Sequence, residues 1–154
     1  MIGRHLPAEL HWAYLAGNAR AVRFDPDPNP LYRQLRELEG DTDHFVWTSN
    51  VAGLFARNGF APERVFAPQS DYALHQCATP CTREVWEFEP MAAKLIAATD
   101  PATGAVADPA VLPHCPHCGE DVQLNVRLNE AFIGALCPLR CGCRAPSLSQ
   151  GVLE

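Results

Sequence analysis

The sequence predicts an α/β fold with a parallel sheet and a small zinc-binding module, and two observations carry that prediction. Residues 44–66 pass from an aromatic, β-branched segment through a short helical segment to a second extended one. That strand, helix, strand succession is what a parallel pairing requires. Further on, two close cysteine pairs, Cys77/Cys81 and Cys115/Cys118, have the spacing of a metal site. At 154 residues the chain can build one buried core, so a single domain is expected.

AELHWAYLAGNARAV at 8–22 reads as the first helix, with Leu10, Ala13, Tyr14 and Gly17 three or four residues apart on a shared face. DPDPNP at 25–30 excludes its continuation, because three prolines in six residues remove backbone donors. In PLYRQLRELEG, Leu31, Leu35 and Leu38 form an apolar stripe, Pro30 suits the first helical position and Gly40 the C-terminal cap. HFVWTS at 44–49 suits a buried strand, and VAGLFARNG a short helix closed by Gly59. ERVFA and DYALHQC read as extended, PMAAKLIAA as a helix and DVQLNVRL as a strand, with the loose DPATGAVADPAVLP between the last two. No internal repeat is present in the sequence.

Composition narrows the function. Asp and Glu number 18 against 12 Lys and Arg, for a net charge of −6 with no basic run, so the electrostatic footprint of a nucleic-acid binder is missing. No apolar stretch has the length of a membrane span, and the N-terminal residues do not form a signal peptide, so no membrane role and a cytosolic location are expected. Seven cysteines in a reducing compartment point to metal before disulfides.

Three residues lie between Cys77 and Cys81, two between Cys115 and Cys118, and 33 between the pairs. Each pair can turn back to face one ion, and four soft ligands in a tetrahedron match structural Zn²⁺. Gly119 follows the second pair, where a knuckle needs a residue tolerant of positive φ. The alternatives are four free thiols or a redox pair at CPHC. His75, His114 and His117 lie nearby and can each replace a thiolate; with four cysteines completing the shell, solvent-exposed positions are expected for them.

The order of these features resembles the sirtuin family. HFVWTSNVAGLFARNGFAPERVF is similar to the sirtuin stretch in which a strand ends in Thr-x-Asn before a helix and a Gly-Phe turn, and HQCATPC and HCPHCGE are similar to its zinc pairs. The match runs from about residue 10 to 130 and is closest to the macrodomain-linked class M branch, in which a glutamine stands in the position of the usual catalytic histidine. The resemblance implies a partial Rossmann-like NAD domain with a zinc module at about 77–128 and an irregular tail at about 134–154. It further implies an NAD-dependent protein ADP-ribosyltransferase, a protein substrate of lipoyl-carrier type and a macrodomain partner. Thr48, Ser49 and Asn50 would meet the cofactor, Asn50 beside the nicotinamide ribose, and Gln69 would occupy the place of the histidine base.

A carboxamide is not a useful base near neutral pH, so deacylation should be poor, while Gln69 can still orient the ribose for direct transfer to a nucleophile. Without the resemblance, Gln69 reads as a polar loop residue after Pro68, and Asn50 as a cap or turn former. Ala52 stands where the family commonly has an aspartate. The ten glycines contain no G-x-G arrangement, so the family's first strand and phosphate loop are expected to be absent and NAD turnover by this chain alone to be negligible. Cys137, Cys141 and Cys143 read as free thiols without a fourth ligand. The alternative functions are a zinc-stabilised protein-interaction module without catalysis, and one half of an enzyme assembled from two chains.

Overall fold

The structure is a computed structural model that describes residues 6–25 and 29–134. Cys137, Cys141 and Cys143, and with them the expected irregular tail, lie outside the described residues. Helix α1 (Ala8–Ala19) continues into a π-helical turn over Arg20–Phe24, closed by the Asp25 N–H donating to the Arg20 carbonyl at 2.9 Å. Helix α2 (Pro30–Glu39) starts as its sequence predicts, with Pro30 in the first turn and the Asn29 side chain accepting from the Leu31 N–H. It ends at Gly40, whose φ of 57° is open to glycine.

Strand β1 (Val46–Trp47), helix α3 (Leu54–Arg57) and strand β2 (Val65–Phe66) follow. β1 and β2 pair in parallel, Val46 opposite Val65 and Trp47 opposite Phe66. This is the parallel sheet that the strand, helix, strand pattern predicts, reduced to two short strands. A second, antiparallel sheet of three strands is added to it, in the order β4–β3–β5, from β3 (Ser70–Cys77), β4 (Val85–Glu87) and β5 (Val122–Val126). Helix α4 (Glu89–Ala97) leaves β4 directly and lies against α1.

The core sits between α1, α4 and the antiparallel sheet. Phe88, fully buried, is its centre: its ring lies 5.9 Å from Trp12, 6.5 Å from Phe24 and 5.8 Å from His75. Trp12, Ala13, Ala16 and Ala19 form the buried face of α1, and the small residues let Ala92 and Leu95 of α4 approach closely. The expected face was Leu10, Ala13, Tyr14 and Gly17. The helical period is right but its phase is displaced, and Tyr14 is 64% exposed. Alanines contribute little to a hydrophobicity pattern, yet a close helix crossing selects them.

The expectation of a buried strand at 44–49 also fails. β1 is not buried, since Trp47 is 70% exposed and rests edge-on against Phe66 at 5.0 Å. The stripe on α2 is exposed as well, with Leu38 at 85%. Apolar patterning identifies a face able to pack, and among the described residues little lies against these faces.

Truncating Phe88 removes the ring shared by both helices and the sheet. Phe88→Ala is expected to lower unfolding stability by about 3–5 kcal/mol, read by thermal or denaturant unfolding of the metal-loaded chain.

Candidate metal centre and nucleotide site

β3 carries both features of interest, one at each end. At its C-terminal end, Cys77 meets Cys81, Cys115 and Cys118, and all four Sγ atoms lie within 4.8 Å of one another. Cys77 and Cys118 are 3.7 Å apart and Cys81 and Cys115 3.6 Å. A regular tetrahedron of Zn–S bonds near 2.3 Å has edges of about 3.8 Å, so the thiols fit a four-sulfur ion directly. The second knuckle is closed by the Gly119 N–H donating to the Cys115 carbonyl at 2.9 Å, with Gly119 at φ 76°. The first is joined to it by the Ala78 N–H donating to the Asp121 carbonyl at 2.9 Å.

The electrostatics of the cluster call for a cation. Burial opposes ionisation of Cys115, but the N–H groups of Cys118 and His117, with the Cys81 and Cys118 thiols, bring its pKa down to about 6. The Cys118 side chain, burial and the other two thiols push Cys81 up to about 12. One thiolate therefore forms readily while another resists. Four thiolates at these distances require a positive charge among them, and metal binding must release protons.

None of the three histidines joins the cluster. His117 is exposed, pairs with Glu84 at 2.9 Å and stacks on Trp86, and His114 is exposed with Asp121 at 3.9 Å. His75 corrects the expectation of exposure. It is 8% exposed, between Trp86 and Phe88, and burial lowers its pKa despite a backbone hydrogen bond at Trp86.

At the other end of β3 a cavity of about 170 Å³ is lined by Thr48, Asn50, Leu54, Phe55, Ser70 and Asp71 among others. Thr48 is fixed by its N–H donating to the Phe66 carbonyl at 3.0 Å, and its hydroxyl accepts from the Asn50 N–H at 3.0 Å. The parallel pair thus holds the Thr-Ser-Asn turn, and the Tyr72 N–H donating to the Val51 carbonyl at 2.9 Å ties that turn to β3. Ser49 faces an adjoining hollow of about 390 Å³, which Asn50 also lines, together with Ala52 and Tyr72. Gln69 is half-buried between cavity residues Ala67 and Ser70, but is not itself among the lining residues; its carbonyl accepts from the Arg127 N–H at 3.3 Å.

The residue pattern did not single out Arg23 or Asp71. Asp71 lines the cavity, accepts from the Arg23 guanidinium at 2.7 Å and from the Ala73 N–H at 2.7 Å. Arg23 comes from the π-helical turn, whose carbonyls at Arg23 and Phe24 accept from Arg57. Gly53, at φ 63°, leaves room for this arginine, because a Cβ there would stand 2.7 Å from its Nε. The one signal in the sequence was the acidic residue two positions beyond Gln69.

No protein-family model matches the chain. Among solved structures, a Sir2 homologue in complex with NAD superposes with a TM-score of 0.54 at 23% identity, over 77% of this chain and 39% of that one. A mutant Sir2 homologue in complex with ADP-ribose gives the same score and identity over 77% and 40%. The fold is sirtuin-like. The sequence matches, at 36% identity over 131 residues, a probable bifunctional ADP-ribose hydrolase/ADP-ribosyltransferase of Fusarium oxysporum f. sp. cubense. It matches a protein ADP-ribosyltransferase of Staphylococcus aureus strain Mu50 at 22% over 120 residues. These alignments take in 82% and 78% of this chain but 22% and 37% of the two relatives. Among the described residues no helix is long and apolar enough to cross a membrane.

Metal and fold should fail together. Cys115→Ser is expected to lose equimolar zinc and the folded module, since structural zinc contributes about 10–16 kcal/mol in small sites. Metal analysis with circular dichroism checks this, and retention of both one zinc and the native spectrum would contradict a four-cysteine site.

Proposed function

We propose that this chain carries the ribose-facing part of an NAD-dependent protein ADP-ribosyltransferase, organised as one sirtuin-like domain with a structural zinc module at about 77–128. The observation that carries the reading is the convergence of Thr48, Asn50, Ser70 and Asp71 on one cavity beside a glutamine that cannot serve as a base. In the reaction, the bond from the ribose anomeric carbon to nicotinamide breaks and nicotinamide leaves with the bonding electrons. A nucleophile of a protein substrate then forms the new bond to that carbon and gives up its proton.

Asn50 is the residue assigned to the nicotinamide ribose, with Thr48 and Ser49 beside it, and Gln69 orients a ribose hydroxyl through its amide. Asp71 is added to this set. Ala52 lacks the carboxylate that sirtuins commonly carry, and Asp71 supplies one on the wall that Asn50 shares. A volume near 170 Å³ is below the ~300–1,000 Å³ of a full ligand pocket, so it suits the ribose and nicotinamide portion of NAD and leaves the pyrophosphate to other residues. Little NAD turnover by the chain alone is part of this reading. The pairing of hydrolase and transferase in the name of the Fusarium relative supports a macrodomain partner that reverses the modification, and the class M resemblance supports a lipoyl-carrier-like substrate. Reduced thiols and a structural zinc suit the cytosol.

Calorimetry on the zinc-loaded chain tests this reading. Binding of NAD is expected, weakened about tenfold or more by Asn50→Ala, with NAD consumption no faster than a denatured control. Equal binding by wild type and Asn50→Ala would remove Asn50 from the site, and turnover above the control would refute the low activity.

A further inference from the structure

Two buried amides join the Gln69 turn to the interior of the antiparallel sheet. Gln76 is fully buried on β3 and Asn125 is 1% exposed on β5. Asparagine is depleted in strands, and an unpaired carboxamide in the interior is destabilising, so their partners matter. Asn125 Nδ2 donates to Gln76 Oε1 at 2.7 Å and to the Ile133 carbonyl at 2.9 Å. Gln76 Nε2 donates to the Ala131 carbonyl at 2.6 Å, and its Oε1 also accepts from the Ile133 N–H at 2.9 Å. Asn125 Oδ1 accepts from the Ser70 hydroxyl.

That last bond ends on an unusual residue. Ser70 has φ 66°, and among the described residues it is the only non-glycine at positive φ. A side chain in this region is strained relative to ordinary backbone. The strained residue directly follows Gln69, and it is the point at which β3 meets β5, Ser70 opposite Val126, before the register shifts ahead of His75. Its N–H donates to the Ala67 carbonyl at 2.9 Å, and the Arg127 N–H reaches the Gln69 carbonyl. The hydroxyl is thus the buried fastening of a turn that local backbone preference would release.

We propose that Asn125 and Gln76 act as a buried amide clasp that holds Ser70 in its left-handed conformation and thereby sets the position of Gln69. Asn125 and Gln76 are positioning residues that act through the turn, and Ser70, which also lines the cavity, is the residue they hold. The functional consequence rests on the role given to Gln69 above, but the clasp can be tested without nucleotide.

The test follows hydrogen exchange of the Ser70 and Arg127 amides by NMR in the zinc-loaded full chain. Asn125→Ser removes both amide donors, and exchange at both amides is expected to accelerate about tenfold while the chain retains one zinc. Glycine adopts positive φ without strain, so Ser70→Gly added to Asn125→Ser is expected to restore protection. A merely structural role for Asn125 would not be rescued by a backbone change at position 70. If Asn125→Ser does not fold, Ser70→Ala alone decides: faster exchange at the Arg127 amide supports the clasp, and wild-type protection overturns it. Unchanged exchange in folded Asn125→Ser, or no rescue by the added glycine, overturns it equally. Because the readout is the turn itself, failure of NAD to bind would count against the proposed function and leave this result intact.

Discussion

Four thiols within 4.8 Å of one another are the constraint on which the remainder depends. Without a cation, their ionisation is frustrated, one falling to about 6 and another rising to about 12. With one, two chain segments separated by 33 residues are locked together, and the end of β3 is fixed against the loop that leads into β5. β3 pairs with β5 from Cys77 back to His75 and again at Ser70, after a shift of register, where the Gln69 turn begins. The metal centre and the cavity are therefore opposite ends of one strand.

The cavity itself depends on a second set of supports. The short parallel pair presents the Thr48–Asn50 turn, the Arg23–Asp71 ion pair closes one wall, and Gly53 makes space for that arginine. These supports come from α1's π-helical extension, from α3 and from β3, which explains why a small cavity needs most of the described chain to form it. The likeness in fold to Sir2 structures covers 77% of this chain and well under half of theirs.

What could be read from the sequence was what local chemistry dictates. Cysteine spacing identifies a cluster because thiol pairs with two or three residues between them can meet one ion without knowledge of the fold. Pro30 and Gly40 mark α2 because the signals that start and stop a helix are local. Properties of the assembled fold were not legible. The buried face of α1 consists of alanines that only the crossing with α4 selects, and His75 is enclosed by aromatic rings on a strand not yet paired in the sequence. Gln76 and Asn125 are 49 residues apart, and their polarity suggests exposure until their mutual hydrogen bond is seen. Asp71 gains its meaning only from Arg23, 48 residues earlier.

The most direct test of the account is X-ray absorption spectroscopy at the zinc edge on the metal-loaded chain. The account predicts one zinc per chain with four sulfur neighbours at about 2.3 Å and no nitrogen in the shell. A shell of mixed sulfur and nitrogen would bring a histidine into the site, and a chain that keeps its native fold with no metal would contradict the dependence of the structure on four shared thiolates.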